Sequence, residues 1–125
     1  MRERDFGELK GKFYKDINNS EVFKDSFSPP GGENLTQFET RIDFAWDEII
    51  KVSNSLRGDL IIVTHGLVIK DFLKRKLFVD KSISSKYEIV PNTSITIFEP
   101  SYPFEVIEFA STKHLKSENA NQGIA

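Results

Sequence analysis

Asp59-Leu60-Ile61-Ile62-Val63-Thr64-His65-Gly66 is the stretch on which the reading of this chain turns. Leu, Ile, Ile and Val follow one another without polar alternation, the pattern of a strand buried on both faces, as in a parallel sheet. His65-Gly66 ends it, and Leu67–Phe78 then predicts a helix with Leu67, Ile69, Phe72, Leu73 and Leu77 turned mostly inward. Lys74-Arg75-Lys76 falls in the last turns of that helix, where cations oppose the negative end of the helix dipole. The basic run reads as a solvated helix end. A phosphate or nucleic-acid patch is the alternative, and the surrounding sequence is not basic.

Working upstream, Leu35, Phe38, Ile42, Ala45, Ile49, Val52 and Leu56 recur at steps of 3, 4, 3, 4, 3 and 4. That spacing lays one apolar stripe along a helix. Asn34 or Glu33 serves its start, and Asn54, Ser55 and Gly58 give the stop. Ser28-Pro29-Pro30-Gly31-Gly32 is a turn. Met1–Asn19 is charged and interrupted by Gly7 and Gly11, which predicts irregular chain with a short helical piece around Lys12–Ile17. Downstream, Val79–Pro91 reads as a connecting loop. Thr93–Glu99 and Phe104–Phe109 alternate, and Pro100-Ser101-Tyr102-Pro103 between them predicts a hairpin. Lys116–Ala125 is a polar tail. The order helix, strand, helix, strand, strand argues for an α/β fold with a mixed sheet.

Composition sets the bounds. At 125 residues, 38% hydrophobic and 29% charged, this is one globular domain or less, not a disordered or low-complexity chain. Seventeen basic against nineteen acidic residues leave a net charge of −2, which gives no reason to expect a nucleic-acid or anionic-membrane partner. Without Cys there is no disulfide framework, thiolate nucleophile or zinc-finger-type site, which fits a cytoplasmic setting. No apolar run approaches a membrane span of about 18–20 residues. Met1-Arg2-Glu3-Arg4-Asp5 does not open a signal peptide.

Among residues that carry chemistry, His65 is the most informative. It stands at the carboxyl end of the predicted strand, where ligands sit in open α/β sheets. The helix that follows presents free amides and a partial positive charge at the same place. Gly66 lets an anion approach the backbone, so imidazole and amides together build a phosphate site. The competing reading is a structural His bonded to a neighbouring carbonyl. Glu3 and Arg4 read either as a surface pair or as a proton donor beside a guanidinium fork for an anionic substrate. His114 reads as a surface residue, and no Gly-x-Ser-x-Gly elbow or Walker loop is present. Two His and no Cys argue against a protein metal centre, leaving open an all-carboxylate magnesium site.

Four segments in order resemble the histidine phosphatase superfamily, the phosphoglycerate-mutase-like proteins. Glu3 through Gly7 to Gly11 is similar to its Glu-x-x-x-Gly-x-x-x-Gly segment. Pro29-Pro30-Gly31-Gly32-Glu33 with Phe38 and Arg41 resembles the loop and the helix it opens. Leu60–Gly66 resembles the second histidine motif, and Pro91-Asn92-Thr93-Ser94-Ile95 the Asn-x-Ser-hydrophobic segment. The wording is most like the branch of fructose-2,6-bisphosphatase-like regulators. The resemblance implies a three-layer α/β/α fold with a mixed sheet, a phosphohistidine reaction on a small phosphorylated metabolite, and no cofactor. It implies Glu3 as general acid/base, His65 as the second histidine, Arg4 as a substrate-phosphate contact and the Gly66 amide as phosphate support.

The sequence departs from the family in one large respect: it contains no Arg-His-Gly, the motif that holds the nucleophile. By position His65 is not that nucleophile. Residues 1–115 are therefore expected to be a partial histidine phosphatase domain, incomplete at its N-terminus, with 116–125 as tail. In the family, the strand carrying the nucleophile lies between the strand ending in the second histidine and the C-terminal hairpin. Asp59–Thr64 and Thr93–Glu99 are then expected to present unpaired edges, at about 1–3 kcal/mol for each dry backbone group, inviting a homo-oligomer or a complementing chain. Three readings follow: a phosphohydrolase or phosphomutase whose chain as given is inactive, a non-catalytic phosphate-binding or regulatory remnant, and an unrelated α/β domain.

Overall fold

The computed structural model describes residues 1–12, 24, 26–80 and 90–115. They fall into two compact units, one of Arg4–Lys51 and one that joins Met1–Glu3 to the residues from Val52 onward. Of the expected features, the helical piece at Lys12–Ile17 (Lys12 apart), most of the 79–91 loop and the 116–125 tail lie outside the described residues.

In the first unit two glycine motifs far apart in sequence prove to be one feature. Gly7 opens a single 3-10 turn, Gly7–Leu9, at φ +53°. The Glu8 N–H donates to the Pro30 carbonyl at 3.0 Å and the Glu33 N–H to the Asp5 carbonyl at 2.7 Å. Backbone therefore crosses backbone with no room for side chains. A Cβ on Gly7 would lie 2.1 Å from the Pro30 oxygen, and one on Gly32 would lie 2.4 Å from the Asp5 oxygen. Only glycine fits such an approach.

The chain then enters helix α1, Leu35–Ser55. Asn34 and Gln37 cap it reciprocally: Asn34 Oδ1 accepts the Gln37 N–H at 2.8 Å, and Gln37 Oε1 accepts the Asn34 N–H at 3.0 Å. Of the two expected starters, the cap is thus Asn34. The predicted stripe buries Phe38 and Ile42, joined by Trp46, which the stripe did not include. Its far end, Val52 and Leu56, is exposed.

In the second unit helix α2 spans Gly66–Arg75, starting one residue earlier and ending three earlier than expected. Both the Lys76 and Leu77 N–H groups turn onto the Phe72 carbonyl, at 2.8 Å each, which closes the helix before Phe78. Val68, Phe72 and Leu73 are buried on it, while Leu67, Ile69 and Leu77 are only half-buried. Asp71 is buried too, held by Arg75 one turn on through bonds of 2.8 and 2.7 Å. That engages one member of the basic run within the helix.

The hairpin forms as β1, Ile95–Phe98, antiparallel to β2, Val106–Ser111. Ile95 faces Ser111, Ile97 faces Glu108 and Phe98 faces Val106, so the register slips at two bulges. Ala110 takes a positive φ of 46° in the first bulge, and its N–H donates to Thr96 Oγ1 at 3.2 Å. Phe78 adds an isolated parallel bridge to Glu105.

The described residues are thus α/β, with two helices and a two-stranded antiparallel sheet. The expected buried strand at Asp59–Thr64 is not formed. Among the described residues no hydrogen bond reaches Asp59, Leu60, Ile61, Ile62 or Val63, and Ile61 and Val63 are 85% and 83% exposed. The cause is physical: a β-branched run becomes a strand only when a neighbour takes its N–H and C=O groups, and among the described residues none does so.

Candidate active site

Residues from the start and the middle of the sequence meet at the start of α2. Glu3 Oε2 accepts the Leu67 N–H at 3.1 Å, and Thr64 Oγ1 donates to the Met1 carbonyl at 3.2 Å. A carboxylate at this place answers one of the orphan donors of the first helical turn and lies at the positive end of the helix dipole.

His65 is the N-cap residue of the same helix. Its backbone is extended, φ −123° and ψ 166°, its carbonyl accepts the Ile69 N–H at 3.0 Å, and its side chain makes no capping bond. The imidazole is exposed, not packed into hydrocarbon. Gly66 follows as the first helical residue. Lys70 stands one turn further along, half-buried. Burial pushes the Lys70 ammonium below its ordinary pKa, and the Glu3 carboxylate opposes that shift. The arrangement gathers a carboxylate, an exposed imidazole, a helix start and an ammonium, the groups that bind an oxyanion and move a proton to or from it.

Arg4 lies in the other unit. Arg4 is 5% exposed, and its guanidinium donates from Nε to the Glu33 carbonyl at 3.2 Å and from Nη2 to the Phe27 carbonyl at 3.1 Å, and lies over the rings of Phe6 and Phe27. Burial lowers its pKa while the Glu33 and Glu39 carboxylates raise it. Glu33 in turn grips Arg41 through two bonds of 2.8 Å and accepts the Asp5 N–H at 3.0 Å. His114 is exposed. Among the described residues no group of three or more His, Cys, Asp or Glu is placed to hold a metal ion. Nor is any described helix long and apolar enough to cross a membrane.

The sequence profile of the histidine phosphatase superfamily (branch 1) matches residues 1–109. The chain belongs to this superfamily. A relative from Schizosaccharomyces pombe described as a probable phosphatase is 29% identical over 132 aligned positions, which take in 100% of this chain and 62% of the relative. The chain thus spans less than two thirds of the length of that curated protein. No solved structure matches it.

In this member of the superfamily, neither Lys70 nor the pairing of Glu33 with Arg41 was read from sequence, although Glu33 and Arg41 stand in the motif that resembles the family. Lys70 had a usable signal: at three residues beyond Leu67 it shares a helix face with the amide that Glu3 takes. The Glu33–Arg41 pair had only a weak one, because an acid two residues before a helix and a base two turns into it are common on solvated faces.

Proposed function

We propose that this chain carries the acid/base and second-histidine part of a histidine phosphatase site and binds the phosphate of a small phosphorylated metabolite. The observation that supports it most is the 3.1 Å bond from the Leu67 N–H to Glu3 Oε2, which sets a carboxylate at the amide two residues beyond His65. In this reading Glu3 is the general acid/base that protonates a leaving oxygen and later assists water. His65 donates a ring N–H to the phosphoryl oxygens, and the Gly66 amide bonds one of them. Arg4 was expected as a phosphate contact. Its bonds to the Phe27 and Glu33 carbonyls favour a different role, anchoring the 27–33 loop.

The reading calls for the three-layer α/β/α, mixed-sheet architecture of phosphoglycerate-mutase-like proteins. That architecture needs a strand alongside Asp59–Thr64. It also calls for a phosphohistidine, yet neither His65 nor His114 stands in an Arg-His-Gly triplet. That sequence fact favours the second reading for the 125 residues by themselves, a phosphate-binding or regulatory module without turnover. The setting expected for both is the cytoplasm.

Titration of the chain with inorganic phosphate, followed by NMR of the His65 ring and the Gly66 amide, tests the site. Saturable shifts at both, lost in His65→Ala, are expected, and unmoved resonances would reject phosphate binding. Assay with p-nitrophenyl phosphate is expected to show no turnover. Turnover abolished by His65→Ala, with no second chain added, would make His65 the nucleophile and overturn its assignment as second histidine.

A further inference from the structure

Two residues flank His65-Gly66, and both reach back to the first three residues of the chain. Thr64 Oγ1 donates to the Met1 carbonyl at 3.2 Å, and the Leu67 N–H donates to Glu3 Oε2 at 3.1 Å. Both bonds lie within one compact unit, and they differ in kind. One takes hold of a carboxylate side chain, the other of main chain two residues before it. Met1–Glu3 belongs to no helix or strand, so its placement depends on side-chain bonds such as these.

A general acid/base gains and loses its proton in every turnover. A bond from an N–H to an ionised carboxylate is charge-assisted and weakens once the carboxyl is neutral. The Leu67 contact therefore tightens and slackens with the chemistry it serves. The Thr64 bond joins a hydroxyl to a peptide carbonyl, and neither group ionises near neutral pH. It holds the backbone while the carboxylate is engaged elsewhere. We infer that Thr64 is a positioning residue: its hydroxyl, through the Met1 carbonyl, keeps Glu3 within reach of the Leu67 amide whether or not Glu3 carries a proton. The role rests on the acid/base reading of Glu3. Thr64 directly precedes His65, so one short run of main chain sets carboxylate and imidazole together.

The Leu67 amide reads this contact directly. Leu67 is the second residue of α2, where an N–H has no acceptor within the helix, so its protection from hydrogen exchange follows the fraction of chains with Glu3 in place. Thr64→Val removes the hydroxyl at nearly constant volume. Exchange at Leu67, followed by NMR, is expected to quicken about two- to tenfold, the worth of one neutral hydrogen bond. The Ile69 amide, which donates to the His65 carbonyl, is expected to keep its parent rate. Thr64→Ser retains the hydroxyl and is expected to keep both rates, while Glu3→Ala sets the fully open rate at Leu67. Thr64→Ala gives the same comparison if valine disturbs folding. Parent-like protection of Leu67 in Thr64→Val or Thr64→Ala overturns the inference, and so does its loss in Thr64→Ser. Equal quickening at Leu67 and Ile69 overturns it too, because the hydroxyl would then be supporting the helix and not the carboxylate. A failed phosphate titration at His65 and Gly66 would leave these rates as they are, so the positioning role and the phosphate site fail separately.

Discussion

Two stretches of similar length show opposite ways of treating a backbone. Around Gly7 and Gly32 the chain gives up side chains so that two strands of backbone can touch, and Asp5, Glu8, Gly32 and Glu33 all enter main-chain bonds there. From Asp59 to Val63 the chain carries large β-branched side chains and, among the described residues, no hydrogen bond. Apolar content therefore does not tell which stretch is structurally committed. What decides is whether a partner for each N–H and C=O exists.

Substitutions break or sharpen that contrast. The largest effect is expected at the crossing, where Gly32→Ala forces a Cβ to 2.4 Å from the Asp5 oxygen. Backbone has to separate, and a loss of about 4 kcal/mol or more, enough to leave little folded chain in a thermal melt followed by circular dichroism, is expected. A melt like that of the parent would mean the crossing is not as tight as described. Next comes a matched isoleucine pair. Ile42 is 0% exposed and Ile61 85%, so Ile42→Ala should cost about 3 kcal/mol in urea denaturation and Ile61→Ala less than about 0.5 in dilute monomer. Equal costs would show that the bare segment is packed in solution. Asn34→Ala removes half of the reciprocal cap on α1, for about 1 kcal/mol.

The smallest effect is electrostatic. Lys70 is partly buried and its folded pKa is lowered, so the unfolded chain holds that proton more tightly. The cost is fully present below the lowered value and is relieved as pH rises through it toward the ordinary one. Since Glu3 opposes the shift, Glu3→Gln should move the Lys70 titration, read from its side-chain carbon resonance, to still lower pH. An unmoved midpoint would separate Lys70 from Glu3.

Local physics explains which parts were readable beforehand. The α1 stripe, the Asn34 start and the Pro100–Pro103 turn depend on neighbours within a few residues, and those appear close to where the sequence puts them. His65 at a helix start was legible for the same reason. Arg4 was not: its burial is set by Phe27 and Glu33, more than twenty residues away. The 59–64 run misled because its composition specifies what kind of partner it wants and is silent on whether one lies alongside. Glu3 is the intermediate case. Nothing local sets it beside Leu67, and only the order of motifs along the whole chain suggested a shared site.

Trp46 is the sole tryptophan and is buried on α1 within Arg4–Lys51, whereas Tyr102 at the hairpin tip is 88% exposed in the other unit. The chain thus comes with an unequal pair of built-in optical reporters. Indole emission reports the surroundings of Trp46 in the glycine-crossed half. A redshift lagging behind the loss of far-ultraviolet ellipticity would be the mark of a molecule that melts in two stages.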